Sequence, residues 1–366
     1  MFSCSFGFSY CEQSEKARSA RARVLRSVLL SATVLLSALS ATQSSVAQEL
    51  FIGDVGDNSV KHFDIANGTY LGAIVPSSTA GLRGPMGMIV TEGQLVVVNQ
   101  NINTGSRGEV LKFDVTSGTF IEKLVASSDR DAPFFPQGIA RGGPDQNFYV
   151  ADVGVQSGKC SNQGDVKMYD AAGAFLGNLD RRAFTSEFHP RGIVFGPDGL
   201  LYVSAVGCLE PKDPAFNRLT GYILRFNPAT KAFVDVFASD ATVPDLHRPE
   251  GLVFDSQGNL WVTSFQGGAT RNDNILKLNG HNGRLIGEIP LLAPDGSRAP
   301  AQAIIFGPGG NLFVPVTSGT IAGAVLECNP ASKQCSTVVQ AGGPLLSPWF
   351  LVFRNSDPAT LSYTGQ

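Results

Sequence analysis

The chain has 366 residues, 43% of them hydrophobic and 16% charged, with 28 Lys and Arg against 31 Asp and Glu. That composition suits a globular protein, and beyond residue 47 no block of Lys and Arg remains, so the basic footprint that nucleic-acid binding needs is missing.

Residues 1–47 read as an export leader. Arg18, Arg21, Arg23 and Arg26 form a basic region ahead of an apolar run from Val28 to Ala41, and Ser45-Val46-Ala47 supplies the small residues of a cleavage site. The run is short for a membrane span, which needs about 20 residues. Retention as an N-terminal anchor is the alternative, and the long stretch over residues 1–27 suggests that the natural start lies later. No other span is apolar and long enough to cross a membrane. The expected mature chain, residues 48–366, keeps 23 basic and 29 acidic residues and is expected to be secreted or periplasmic and monomeric. Cys4 and Cys11 fall in the leader. The other four cysteines enter an oxidising compartment, where an even count points to bridges.

From Glu49 to Val75 the chain shows three strand-like runs, "LFIGDVGDNSVKHFDIANGTYLGAIV". A longer pattern then recurs: "GPMGMIVTEGQLVVV" (84–98), "FPQGIARGGPDQNFYV" (135–150), "HPRGIVFGPDGLLYV" (189–203), "RPEGLVFDSQGNLWV" (248–262) and "AQAIIFGPGGNLFV" (301–314), with a degraded copy, "SPWFLVFRNSDPATLSY", at 347–363. Each copy is an apolar run, a Gly/Asp/Pro turn and a second run rich in Val, Tyr, Phe or Trp, which is a hairpin signal. A second hairpin follows each of the first five copies. Four strands per repeat, at spacings of about fifty residues, is the signature of propeller blades. The expected fold is therefore an all-β, six-bladed propeller over residues 48–366. Pro348–Phe353 would supply the innermost strand that the N-terminal unit lacks, and so close the ring. A seventh blade built from 359–365 is the alternative.

Across the second hairpin, every blade presents a matched pair: Phe63/Tyr70, Phe113/Phe120, Tyr169/Phe175, Phe226/Phe233, Leu278/Leu285 and Cys328/Cys335. Directly opposed residues have Cβ atoms roughly 4.5–5.5 Å apart, close to disulfide reach. A structural Cys328–Cys335 bridge is expected where the other blades have an apolar contact.

The units "FIGDVGDNSVKHFD" and "FYVADVG…DVKMYD", with a recurring Pro-x-Gly before the inner strand, resemble NHL-type repeats. More broadly, the chain over 49–363 is similar to the superfamily of six-bladed propellers that contains gluconolactonases, streptogramin lyases and strictosidine-synthase-like proteins. The resemblance is specific for fold and weak for function, because members range from binding scaffolds to metal-dependent hydrolases and lyases.

In such a blade the links from second to third strand, and from one blade to the next, emerge on one face. Here those second-to-third links are long and varied while the hairpin turns are short, which marks the long-loop face as the expected binding face. Cys160 and Cys208 fall on two of those loops in adjacent blades and are expected to bridge them, with free thiols as the alternative.

At the entrance to each inner strand stands one residue facing the channel rim: Met86, Gln137, Arg191, Glu250, Gln302 and Trp349. Gluconolactonase-like relatives hold a divalent cation near such positions through a Glu, an Asn and an Asp. The resemblance therefore offers Glu250 as a metal ligand, with Gln137 and Gln302 as neutral oxygen donors to Ca²⁺ or another divalent cation. Arg191 in the neighbouring blade argues for a Glu250–Arg191 ion pair instead, and a general acid or base is the third reading of Glu250. His189 and His247 precede inner strands on the same rim, and streptogramin-lyase-like relatives use a rim His as base. Ordinary loop histidines are the alternative. His62 and His281 look like surface residues of the outer hairpins. Asp54, Asp57 and Asp152 are expected to brace backbone turns, and the sequon Asn67-Gly68-Thr69 falls at a hairpin tip.

Two functions follow. The first is an exported propeller that needs no cofactor and binds a protein partner or small ligand on its long-loop face. The second is an extracytoplasmic hydrolase or lyase acting on a lactone, ester or similar small molecule. There Glu250 would hold a cation or act as base, His189 or His247 would move the proton, and Arg191 would stabilise an oxyanion.

Overall fold

The computed structural model describes residues 48–154, 163–207, 220–265 and 273–365. They form 24 strands in six four-stranded antiparallel sheets. Blade 1 is β24-β1-β2-β3, with β24 at Pro348–Phe353, β1 at Glu49–Asp54, β2 at Ser59–Asp64 and β3 at Thr69–Val75. Blades 2 to 6 each take four consecutive strands from β4 to β23. Their inner strands are β4 (Pro85–Thr91), β8 (Pro136–Gly142), β12 (His189–Phe195), β16 (Pro249–Phe254) and the short β20 (Ile305–Phe306). The ring closes as expected: β24 pairs β1 with Leu50 opposite Phe353 and Ile52 opposite Leu351.

All six predicted pairs across the second hairpin are in register, from Phe63↔Tyr70 to Cys328↔Cys335. The aromatic pairs pack with centroids 5.2 to 5.8 Å apart, and Cys328 and Cys335 form a disulfide with Cα atoms 4.0 Å apart. Inner and second strands are buried along nearly their whole length, whereas the outer strands alternate or are exposed over their first residues. Each blade thus packs both faces against its neighbours.

The tail does not form a seventh blade. After β24 it crosses the face that carries the hairpin turns: Arg141 N–H donates to Pro358 O (2.9 Å) and Phe195 N–H donates to Ala359 O (2.9 Å). Leu361 lies on the axis, packed against side chains from four of the five core clusters. Among the described residues no helix is long and apolar enough to cross a membrane.

Two of the three expected backbone braces are present, while Asp57 instead accepts the Ser59 hydroxyl and pairs with Lys61 at 2.6 Å. Asp54 accepts the N–H groups of Gly56, Leu346 and Ser347 as well as the Lys61 ammonium (2.6 Å), and Asp152 accepts those of Phe134, Phe135 and Gly154. His62 departs from expectation: it is half-buried and stacks on Phe51 with centroids 6.2 Å apart, while His281 is exposed.

Candidate functional site

The inner strands are not regular. In β4, β8, β12 and β16 the ladder to the second strand breaks between the Pro and the residue after the Gly, and in blade 1 it skips Trp349. A bulge of this kind re-aims a side chain out of the pleat. It takes Met86, Gln137, Arg191, Glu250 and Trp349 out of their ladders at the same level of five blades. Gln302 reaches that level in blade 6, whose inner strand is shorter because it lacks the Pro-x-Gly pattern.

The glycines at these bulges are close-approach positions. A Cβ on Gly87, Gly138, Gly192 or Gly251 would lie 2.1 to 2.9 Å from the backbone carbonyl oxygen of Gln137, Arg191, Glu250 or Gln302 in the next blade. Without Cβ atoms the strands can close the ring backbone to backbone. Below the bulges the axis narrows to a cavity of about 30 Å³, floored by Leu361, which is room for one water. The channel is therefore blind on the hairpin-turn side, with its mouth at the level of the bulges.

Two hydroxyls hold the floor of that mouth. Ser204 Oγ accepts the Gly192 N–H (2.7 Å) and donates to Glu250 O (2.6 Å), and Thr263 Oγ1 accepts the Gly251 N–H (2.9 Å) and donates to Gln302 O (2.9 Å). Gln100 adds a third tie, donating from Nε2 to Pro136 O (3.2 Å).

The side chains at the bulges divide by chemistry. Blades 1 and 2 contribute Trp349, half-buried with Nε1–H on Ser347 Oγ (3.1 Å), and the fully buried Met86. Blades 3 to 6 contribute Gln137, Arg191, Glu250 and Gln302, all buried. Arg191 Nη1 lies 3.9 Å from Glu250 Oε2, so the expected ion pair exists but is not hydrogen-bonded. The closer partner of Glu250 is Arg248, whose Nε donates to Oε1 at 2.5 Å. Sequence reasoning missed it, although it stands two residues away in "RPEG". Burial pulls the Arg191 guanidinium down to about 10, against the pull of Glu250 and helped by the repulsion of Arg248.

His189 joins the group. The His189 ring is buried, and its Nδ1 lies 3.1 Å from Val153 O. A carbonyl only accepts, so Nδ1 carries the proton and Nε2 keeps its lone pair. Burial, then the charges of Arg191 and Arg181, lower the His189 pKa and favour the neutral ring. His247 is half-buried beside Asp240, whose carboxyl is raised by burial with His247 opposing the rise.

Seven buried side-chain nitrogen or oxygen atoms among the described residues lack a hydrogen-bond partner, and six belong to this mouth. They are both amide atoms of Gln137, Nε2 of His189, Nε of Arg191, Oε2 of Glu250 and Oε1 of Gln302. Buried polar atoms are normally satisfied, so this concentration is a property of the site.

The donor set does not fit a divalent cation. One carboxylate stands between two guanidinia, and the remaining oxygens are neutral amides. Among the described residues no three His, Cys, Asp or Glu side chains are disposed to hold a metal. Cys160 and Cys208 lie outside the described residues.

No family model matches the chain, and no curated protein matches it. Solved structures do. A luciferin-regenerating enzyme aligns over 83% of this chain and 87% of its own at 14% identity, with a TM-score of 0.50. The periplasmic gluconolactonase of Pseudomonas aeruginosa aligns over 84% and 98% at 18% identity, also with a TM-score of 0.50. A catalytically inactive virginiamycin B lyase variant from Staphylococcus aureus, with quinupristin, aligns over 83% and 89% at 13% identity, with a TM-score of 0.46. At these identities the likeness is one of fold.

Proposed function

We propose that this chain is an exported propeller that binds a small polar molecule in the blind mouth on its long-loop face. The observation that carries this reading is the set of six unpartnered buried polar atoms on Gln137, His189, Arg191, Glu250 and Gln302. Leaving a buried polar group unsatisfied costs about 1–3 kcal/mol, more where it is charged. A mouth that keeps several such groups at once stands ready for a ligand that satisfies them. Met86 and Trp349 give the same mouth an apolar wall. The donor set of the mouth argues against a bound metal in this role.

The test is a thermal-shift screen of small polar metabolites on the mature chain and on the Gln137→Leu/Gln302→Leu double variant. At least one compound should raise the wild-type melting temperature saturably and leave the variant unmoved. Compounds that act equally on both proteins would place binding elsewhere.

A second reading is favoured by His189. Its neutral ring, held by Val153 O with the Nε2 lone pair unpartnered, has the protonation state of a general base, and some propellers of this fold are enzymes. In a hydrolase or lyase of this kind, His189 would take a proton from substrate or water and Arg191 would stabilise the developing oxyanion. Turnover of a compound found in the screen, abolished by His189→Ala while binding persists, would establish this reading. Binding without turnover leaves the first.

A further inference from the structure

We infer that the Arg191 guanidinium occupies the role a bound cation would have in this mouth, and that the ligand is accordingly a small carboxylate rather than a neutral molecule or a divalent metal. This deepens the ligand-binding reading above and rests on it.

Charge sets the requirement. Arg191 is 3% exposed and Glu250 2%. Arg248 is the better-placed partner of that carboxylate, with Nε on Oε1 at 2.5 Å, whereas Arg191 approaches Oε2 only to 3.9 Å. The residues that meet here thus carry two positive charges and one negative, and His189 adds none while its ring is neutral. An uncompensated charge held away from water is costly, and Arg191 cannot escape by losing its proton near neutral pH. Among the described residues, what the mouth lacks is one negative charge.

Hydrogen bonding specifies the form of that charge. Arg191 Nε and Gln137 Nε2 are buried donors without acceptors. A planar carboxylate meets a guanidinium fork with two parallel bonds, and a second donor beside it completes the cradle. The remaining unpartnered atoms, Gln137 Oε1, Gln302 Oε1, His189 Nε2 and Glu250 Oε2, all accept. They suit hydroxyl groups on the same molecule. A divalent cation is disfavoured, because it would bring further positive charge against Arg191 and Arg248.

The probes are glycerate and glycerol, which share hydroxyls and size but differ in the carboxylate, and calcium chloride. Titration calorimetry on the mature chain should show glycerate binding at least ten times more tightly than glycerol, with no saturable heat from calcium. Arg191→Gln should lose at least ten-fold in glycerate affinity and leave the weak glycerol binding alone. Arg191→Lys, which keeps the charge and loses the fork, should fall between them, and it covers the case in which the Gln variant does not fold. Stoichiometric calcium binding to the wild-type chain overturns the inference, as does unchanged glycerate affinity in both variants. Equal affinity for glycerate and glycerol also overturns it, while supporting the ligand-binding reading. If neither probe binds, the inference falls, and the metabolite screen, which assumes no charge, judges that reading separately.

Discussion

Glu250 has two guanidinium neighbours that are not equivalent, and stability should separate them. Arg248 donates directly to a carboxylate that is almost fully buried, so Arg248→Ala leaves that oxygen charged and unpartnered. Removing one partner of such a pair costs about 3–5 kcal/mol, and chemical denaturation should show a loss at the lower end of that range. Arg191→Gln should cost under about 1 kcal/mol, because its 3.9 Å approach carries no hydrogen bond and the substitution relieves a buried charge. The order of the two losses is the check, and equal losses would refute the assignment of Arg248 as the main partner. His189 supplies a pH signature. Its folded pKa lies below the ordinary value because burial disfavours the charged ring, so the unfolded chain binds the proton more tightly. The stabilisation from the neutral ring is therefore complete above about pH 6.5 and is lost as pH falls through that value towards the folded pKa. Denaturation midpoints of wild type should drop between pH 7.5 and 5.5, and those of His189→Gln should drop less.

At the scale of strands, the bulge at Pro-x-Gly carries the mouth. Gly192→Ala would set a Cβ 2.1 Å from Glu250 O and 3.0 Å from Ser204 Oγ, and the closer atom is backbone that cannot swing aside. A loss of about 1–3 kcal/mol is expected from overpacking, with displacement of Glu250 that weakens ligand binding further. Ser204→Ala removes the hydroxyl that joins Gly192 N–H to Glu250 O and should cost about 1–2 kcal/mol, read as a lowered melting temperature. The disulfide is simpler. Cys328→Ala/Cys335→Ala opens a loop with a sequence separation of only 7 residues, so about 2 kcal/mol is expected, a shift of a few degrees in a calorimetric scan.

Much of this scale was legible in the sequence, because hairpin strands repeat with the same chemistry in every blade: the alignment that pairs Phe113 with Phe120 also pairs Cys328 with Cys335. Arg248 was not legible. Its partner is set by where a side chain turns within "RPEG", which a repeat alignment does not encode. Ser204 and Thr263 left only a faint signal, a serine inside the run "LYVSAV" and a Thr-Ser pair ending "LWVTS".

For the whole molecule, closure and capping are separate tasks performed by one C-terminal stretch. β24 completes blade 1 through its pairing with β1, whereas the residues after it floor the axis with Leu361. A chain ending at residue 346 should therefore lack cooperative unfolding, because blade 1 loses its inner strand and the ring stays open. One ending at residue 355 should still unfold cooperatively but melt earlier, having given up a half-buried leucine and two hydrogen bonds between the tail and the blades. Circular dichroism melts of the two truncations distinguish these outcomes. The ring itself followed from counting repeats, since a propeller has to close. The plug could not be anticipated, because "RNSDPATLSY" reads as the degraded second half of a repeat copy, whereas its place depends on a surface that exists only after closure.

That plug also fixes how the molecule can be held. β1 starts, and the tail ends, on the hairpin-turn face, where Arg354 N–H meets Glu49 O at 3.0 Å. Any tether joined just before Gln48 or after the tail therefore leaves from the sealed end of the axis. A molecule grafted to a surface by either route would stand with its mouth turned outward, within reach of whatever diffuses past.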